Sequence, residues 1–599
     1  MYIKGGSMRK SILFMKKYVE ESSGKRIYLY TFLQTLIVLW PIVNSYFFKM
    51  LINCCTSQTI LWNTIVKYII LIGLGTTGTI VFTSLSKIIE DVITRKLRYK
   101  FDLSIMEVMS TNNMAFIDSS TGRNALDNAT DSSYVISQFP FKIIGVITQV
   151  FSLIIMLSVI VRFSFWGCCV FLVMMIPGIY LETKGRKDIE GWMRESAPDV
   201  RKFSYYRWML TDRWPAIDVR MYNLTDDITN RYNEEKGIYL EKKKAVNRKG
   251  LRASYKATIL KNVGMITFIV QVFYYGWTQR IDIGDITLLI SYGIASVAAL
   301  RQIGMLAIYY LYLYREHESI YLDFVNKATV EEQKCNKLTL NTVENIEFDH
   351  VWFRYNEESD YVLKGISFQI NRGEKATLIG VNGAGKTTIV KLILGFYQVT
   401  KGAIRINGRN LEEYDLKDVR KHFSALFQNF VIYPMSLREN IACSHIEEME
   451  NDVHINQCLK KAGIDKKQYK LTNDLETGLS REYDDEAIGL SRGQSQKIAL
   501  ARAYFKDAEF IILDEPSASL DPEAEDMIFK KFDSLAKDRT ALMISHRISC
   551  TVHCDKILVI KDGIVEENGT HNQLMKNNKF YANLFKMQQM KYISEEGSV

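Results

Sequence analysis

Six apolar runs crowd the first half of the chain, at about Ile27 to Asn53, Val66 to Ile89, Ile143 to Val161, Phe165 to Leu181, Thr258 to Trp277 and Ile286 to Leu311. Each approaches or exceeds the roughly 20 residues that an α-helix needs to cross a hydrocarbon core about 30 Å thick. A chain with these runs must fold its first half as helices in a bilayer. From about Asn326 onward polar and apolar residues alternate as they do in a water-soluble α/β domain. Average composition hides this division, because 47% hydrophobic and 24% charged residues with a mean hydropathy of −0.06 would suit an ordinary soluble protein.

The net charge of +9 admits nucleic acid as a partner, but the basic residues cluster between the apolar runs rather than along one soluble face. Lys87 to Lys100 and Lys184 to Arg252, the latter containing "EKKKAVNRKGLR", are far more basic than the segments after the first, third and fifth runs. That asymmetry places the basic loops inside. The lipid bilayer, not nucleic acid, is the expected surroundings, with a multi-pass chain in the cell membrane and both termini and the soluble half in the cytoplasm. Pro-free helical sequence continues from the second run to about Met109, so that helix should reach about 45 residues, or roughly 65 Å, and project into the cytoplasm. The fourth and fifth runs bracket a similar excursion. Arg162 to Ser164 leave only a tight external turn between the third and fourth.

Polar residues within the runs call for partners, since an isolated charge in hydrocarbon is costly. Asn44, Gln149 and Gln271 are expected to make interhelical hydrogen bonds. Arg301, beside Gln302, either lines a cavity or snorkels or pairs with an acid. Nine cysteines include no Cys-x-x-Cys pair, and "SHRISCTVHC", with His546, Cys550, His553 and Cys554, matches no standard zinc spacing. Apolar filling is the expected role of these thiols.

The second half carries phosphate chemistry. A short strand, Ala376 to Ile379, runs into "GVNGAGKTT", Gly380 to Thr388, and then into a helix, which is the setting a P-loop requires. Gly380, Gly383 and Gly385 let backbone N–H groups turn toward phosphates, Lys386 offers a point charge, and Thr387 can ligate magnesium. In "EFIILDEP" a buried strand closes on Asp514, suited to the Mg2+ shell, and Glu515, suited to polarising water. Gln428 in "ALFQNF", Asp521 in "SASLD" and His546 in "ALMISHR" complete the polar set near strand ends.

Tyr355, "GVNGAGKTT", Gln428, "LSRGQ", "FIILDEP", "SASLD" and His546 stand in the order found in the nucleotide-binding domain of ABC transporters, which this half resembles. The first half is similar to the six-helix domain of type IV ABC exporters, and "FIDSSTGRNALDNATD" resembles their first cytoplasmic loop, which contacts the ATPase. The resemblance implies an all-α six-helix transmembrane domain followed by an α/β P-loop ATPase domain with an ABC-type helical subdomain. The boundaries it implies are a 1–26 cytoplasmic segment with a possible elbow helix, the transmembrane domain 27–315, a linker 316–345, the ATPase 346–585 and a tail 586–599.

Carried over residue by residue, the resemblance implies that Tyr355 stacks on adenine and that Gly380, Asn382, Gly383, Ala384, Gly385, Lys386, Thr387 and Thr388 cradle ATP. Gln428 links γ-phosphate and Mg2+ to the membrane domain, and Thr387, Gln428 and Asp514 hold the metal. Glu515 and His546 act on water and γ-phosphate, and Asp521 reports across a dimer interface. Ser491, Gly493 and Gln494 close on ATP held by a second half-transporter subunit. That subunit is expected to be identical, with a different one as the alternative.

The family pattern Leu-Ser-Gly-Gly-Gln carries Arg492 here at its third position. Ser491, Gly493 and a helix opening at about Gln494 keep the groups that meet phosphate, and Glu515 and His546 are intact, so turnover is expected to survive. The run "GLSREYDDEAIGL" followed by "QKIALARA" is similar to exporters of lantibiotics and related ribosomal peptides. Peptide export is therefore the expected activity. A lipid or multidrug exporter and a membrane ATPase regulating a partner are the alternatives. The segment before Ile27 is too short for a peptidase domain, so leader removal in cis is not expected.

Overall fold

The computed structural model describes residues 18–587 apart from 23, 58–61, 112, 279–280, 307–310, 333–336, 466–468, 470, 472, 482–484, 515–538, 546–550 and 553. They fall into two compact units, one of residues up to 111 with 120–330, the other of residues 112–119 with 331 onward.

The helices of the first half include α1 (Arg26–Thr56), α2 (Trp62–Thr111), α3 (Met114–Asp118), α4 (Ser120–Phe163), α5 (Phe165–Glu195), α6 (Ala197–Thr211), α7 (Ala216–Met221), α8 (Thr225–Trp277), α9 (Ile283–Met305) and α10 (Leu311–Glu332). Six of them, α1, α2, α4, α5, α8 and α9, are long and apolar enough to span a membrane, and they coincide with the six apolar runs. Helix α2 has 50 residues and α8 has 53. At 1.5 Å per residue both exceed twice the hydrocarbon thickness. The expected 45 residues for α2 fell short because Trp62 to Ile65 and Ser110 to Thr111 also join the helix.

Phe171 and Met175 of α5, Phe268 and Val272 of α8, and Leu288, Leu289, Tyr292 and Ala299 of α9 form the centre of this unit with Met156 and Ile160 of α4. Its polar residues answer the expectations unevenly. Gln271 Nε2 donates to Ser164 Oγ at 2.8 Å, tying α8 to the one-residue turn between α4 and α5. Gln149 instead accepts from Ser152 of its own helix. Asn44 lies against Gly75 of α2, its Oδ1 buried and without a partner among the described residues. Arg301 is an ion-paired residue, its Nη2 lying 2.7 Å from Glu182 Oε1 while Lys261 Nζ lies 2.6 Å from Oε2 of the same carboxylate.

The second unit is built on two sheets. Strands β1 (Asn345–Phe353), β2 (Leu363–Asn371), β3 (Lys375–Ile379), β4 (Lys401–Ile406), β5 (Arg409–Asn410), β6 (Phe423–Leu426), β7 (Phe510–Asp514), β8 (Thr540–Ile544), β9 (Lys556–Lys561) and β10 (Ile564–Gly569) divide as β2-β1-β4-β5 and β10-β9-β3-β8-β7-β6. The first sheet is antiparallel. In the second, β9, β3, β8, β7 and β6 run parallel, and only β10 turns back. Both β7 and β8 are buried at every position, as central parallel strands covered on two faces should be.

Helix α11 (Lys386–Ile393) leaves β3 and fills the space between the sheets with Ile389, Val390, Leu392 and Ile393 against Ile346, Phe348 and Leu378. After α12 (Leu416–Lys421), the helices α13 (Leu437–Ala442), α14 (Asp452–Ala462) and α15 (Arg492–Phe505) pack around Ile441, Ile455, Ile498 and Phe505 as a helical subdomain. Helix α16 (His571–Asn577) follows β10. Helix α3 belongs to this unit, with Met114 packed against its core and Asn113 capping the helix by accepting from Ala115 N at 3.0 Å.

Candidate active site

Parallel register gathers the site. Leu378 of β3 and Asp514 of β7 both pair with Ile544 of β8, and Leu426 of β6 pairs with Leu513. The carboxyl ends of four adjacent strands therefore lie at one edge, where open α/β sheets bind ligands. Gly380 follows the first of these ends, Gln428 lies exposed two residues beyond β6, Asp514 closes β7, and Ser545 follows β8. Glu515, Asp521 and His546 lie outside the described residues. Glu515 is next in sequence to Asp514, and His546 is next to Ser545.

The loop between β3 and α11 admits little besides its own sequence. A Cβ on Gly380 would sit 2.1 Å from the carbonyl oxygen of Ile560, and Gly385, at φ +102°, would bring a Cβ within 2.6 Å of Leu363. Such values favour glycine alone. Asn382 and Gly383 face solvent, while Ala384 and Gly385 are buried. Lys386 is 5% exposed and donates to the carbonyls of Gly380 at 2.8 Å and Val381 at 3.1 Å. Its ammonium is thereby curled into the loop beside the first turn of α11, whose positive end favours anions.

Thr387 Oγ1 donates to Asp514 Oδ1 at 3.2 Å, and Asp514 is 1% exposed. A hydroxyl and a buried carboxylate at this spacing are hard oxygen donors that fit Mg2+. Among the described residues no group of three or more His, Cys, Asp or Glu side chains gathers as a metal site. Of the thiol–histidine stretch, His546, Cys550 and His553 lie outside the described residues, whereas Cys554 Sγ meets Thr377 Oγ1 at 2.8 Å.

Tyr355, two residues past β1, is 40% exposed and bonds through its hydroxyl to Thr388 Oγ1 at 3.0 Å, which sets the ring beside α11. It meets Phe353 and Tyr397 edge-on, at centroid distances of 5.0 and 5.2 Å. The Tyr397 hydroxyl in turn donates to Asp118 of α3. Burial, with the Asp118 carboxylate beside it, holds that hydroxyl above the ordinary tyrosine range.

Helix α15 begins at Arg492, two residues earlier than expected, because Ser491 is its N-cap. Gln494 N donates to Ser491 Oγ at 3.3 Å and Ser491 N donates to Gln494 Oε1 at 2.9 Å, a reciprocal capping box. Ser491 Oγ accepts in this box, so its O–H remains able to donate outward. Arg492 occupies the first helical position with an exposed side chain, and Gly493 follows, partly exposed.

The sequence profile of the ABC transporter family matches residues 363–518, spanning the P-loop, the capped helix and Asp514. Over 93% of its length the chain is 31% identical to the subtilin transport ATP-binding protein SpaT of Bacillus subtilis, covering 91% of that protein. This chain belongs to the ABC transporter family. The transporter is also 28% identical to the nisin transport ATP-binding protein NisT of Lactococcus lactis subsp. lactis, over 94% of each chain. Its fold matches that of a bacterial Atm1-family ABC exporter with ATP bound, at a TM-score of 0.72 and 18% identity over 98% of this chain and 99% of that one.

As an ABC transporter of exporter fold, the chain is a multi-pass membrane ATPase whose second unit binds ATP. Two contacts around that site escaped the sequence. Tyr397 in "GFYQVT" carries no local signal of its bond to Asp118, and Thr551 carries none of its bond to Tyr581.

Proposed function

We propose that this ABC transporter exports a ribosomally made, lantibiotic-like peptide across the cell membrane, as a dimer of identical chains driven by MgATP. The cargo rests chiefly on the reach of two relatives. SpaT and NisT, named for subtilin and nisin transport, match the membrane half, through which cargo passes, as well as the ATPase half. The run "GLSREYDDEAIGL" points the same way.

In this account Lys386 and the loop N–H groups hold the β- and γ-phosphates, while Tyr355 offers an exposed ring to adenine. Thr387, Asp514 and Gln428 hold Mg2+, which would neutralise charge on the phosphate oxygens. Glu515 polarises the attacking water, His546 orients it and the γ-phosphate, and Asp521 lies at the interface of the two ATPase domains. Ser491, with Gly493 and Gln494, donates to the γ-phosphate held by the other chain. Each chain then carries half of two ATP sites, so ATP draws the domains together and hydrolysis releases them.

Two surfaces support a second copy and a membrane orientation. Trp214, Ile217 and Met221, in and before α7, are 76%, 78% and 73% exposed, an apolar face that a second chain would cover. Trp62, Trp166 and Trp277, at the start of α2, the start of α5 and the end of α8, are 70%, 77% and 87% exposed. By the order of spans all three stand at one membrane face, where tryptophan favours the interface. The basic stretches belong to the other face, and the excess of lysine and arginine there supports reading that side as the cytoplasmic one.

Measuring ATP turnover and particle mass of the purified chain in lipid discs tests the proposal. Two copies per particle, with turnover stimulated by a lantibiotic-like peptide, is the expected result. Turnover that starts only after a different subunit is added would contradict the homodimer, and stimulation by phospholipid alone would contradict the peptide.

A further inference from the structure

Two cations share one carboxylate inside the membrane half, and the pairing leaves a positive charge over. Glu182 of α5, 8% exposed, gives Oε2 to Lys261 Nζ of α8 at 2.6 Å and Oε1 to Arg301 Nη2 of α9 at 2.7 Å. Glycines let the three helices close on this point. A Cβ on Gly178 of α5 would fall 2.8 Å from Cγ of Lys261, and one on Gly304 of α9 would fall 2.4 Å from Cγ2 of Ile179. Lys261 is thereby enclosed at 14% exposure, whereas Arg301 keeps 48%. Among the described residues Arg301 bonds Glu182 alone, so most of its N–H donors stay open. The neighbouring Gln302 amide is exposed and bonds none of them.

The rest of α9 narrows what that open edge faces. The helix packs against α1, α4, α5 and α8, and its apolar window is 44% buried, the highest share among the six spans. Past Ile283 its exposed positions are Ile294, Ala295, Ala298, Arg301 and Gln302, which recur at three- and four-residue spacing and so form one stripe. Other spans turn bulky apolar side chains outward, as α2 does with Ile69, Ile70, Leu74, Ile80 and Val81. Lipid chains suit that kind of face. Two alanines, an amide and a cation with unspent donors suit water and a solute instead, because unsatisfied donors are costly in hydrocarbon. Glu182, Lys261 and Arg301 stand about 16 to 18 residues, or roughly 24–27 Å, from the ends of their helices at the tryptophan face. In a core about 30 Å thick that is the opposite side, where the reading above has cargo enter.

We propose that Arg301 is a cargo-binding residue, holding a carboxylate of the exported peptide at the cytoplasmic end of its path. Glu182 fixes the guanidinium by one edge, and Lys261 offsets the charge of Glu182. The open edge then presents parallel N–H groups that match a carboxylate, with the Gln302 amide beside it. The inference rests on the peptide reading above and adds the chemical group by which the cargo is recognised.

The test is the peptide concentration that half-maximally stimulates ATP turnover of the full-length transporter in discs of zwitterionic phospholipid. The probes are a lantibiotic with its terminal carboxylate free and the same lantibiotic amidated there, applied to the parent, Arg301→Lys and Arg301→Gln. Loss of a charge-assisted hydrogen bond corresponds to about a tenfold rise in that concentration. Amidation should impose the rise on the parent, Arg301→Gln should impose it with the free peptide, and amidation should add nothing in Arg301→Gln. Arg301→Lys, which keeps the charge without the fork, should fall between. Amidation alters the probe alone, so it reads the site even where a change at Arg301 prevents folding. A parent that responds equally to both peptides, or an Arg301→Gln variant in which amidation still costs tenfold, overturns the carboxylate site and leaves peptide export standing. An effect of Arg301→Gln that appears only in discs containing phosphatidylglycerol assigns the open edge to lipid phosphate, and loss of the two-chain particle in Arg301→Gln assigns it to a second copy. Either result overturns the proposal. No stimulation of the parent by either peptide contradicts the peptide reading itself, and the carboxylate site with it.

Discussion

Arg492 stands at the first position of a helix whose cap is Ser491, a place where a cation gains nothing from the helix dipole and its side chain turns to solvent. The capping box uses the Ser491 oxygen only as an acceptor and spares its proton. Arginine here should tune closure on ATP rather than abolish it. We expect Arg492→Gly to keep turnover within about tenfold of the parent, or roughly 1.4 kcal/mol. Ser491→Ala combined with Gly493→Asp should remove nearly all turnover, measured at saturating ATP in the same lipid. A hundredfold gain in Arg492→Gly would mark the native site as impaired. Glu515 makes a second test, because glutamine keeps its shape without its charge. Glu515→Gln should bind ATP, hold the ATPase domains together and turn over at a small fraction of the parental rate. Wild-type phosphate release by that variant would remove Glu515 from the mechanism. The places of Ser491 and Arg492 were legible because both sit in a short motif at the start of a helix. Tyr397 with Asp118 was not, since their bond joins positions 279 residues apart and neither local sequence announces it.

Elements show the same split between local and distant information. Helix α2 could be anticipated because its length depends on propensity and the absence of proline, which are local. The partner of Arg301 could not, because Glu182 lies on α5 and its second partner, Lys261, on α8. One carboxylate therefore joins three helices, and its side chain is 8% exposed against 14% for Lys261. Removing the acid would leave two cations facing each other. Breaking a buried pair from one side costs about 3–5 kcal/mol, less here to the extent that Arg301, 48% exposed, reaches solvent. Glu182→Gln should lower the melting temperature of the detergent-solubilised transporter markedly, and the Glu182→Gln, Lys261→Met double variant should recover part of the loss. An unchanged melting temperature in Glu182→Gln would show that the three-helix junction carries no stability.

At the scale of the whole molecule the sequence already separated two solvents, one half written for lipid and one for water, and the two compact units follow that division with one exception. Residues 112–119 are placed with the second unit although they lie between two membrane helices in sequence. Composition cannot show this, because α3 is only five residues long, whereas the resemblance of "FIDSSTGRNALDNATD" to the exporters' ATPase-contacting loop does anticipate it. Cargo is the other property the chain does not spell out: the ATPase motifs serve many exporters, and the surfaces that meet cargo carry no comparable signature. Transport itself is therefore the most direct test. Reconstituted with its ATPase side outward in sealed vesicles, the transporter should accumulate a labelled lantibiotic-like peptide in the lumen only when MgATP is supplied, and the Glu515→Gln variant should accumulate none. Vigorous ATP turnover without peptide accumulation, in vesicles that move a labelled phospholipid instead, would contradict peptide export.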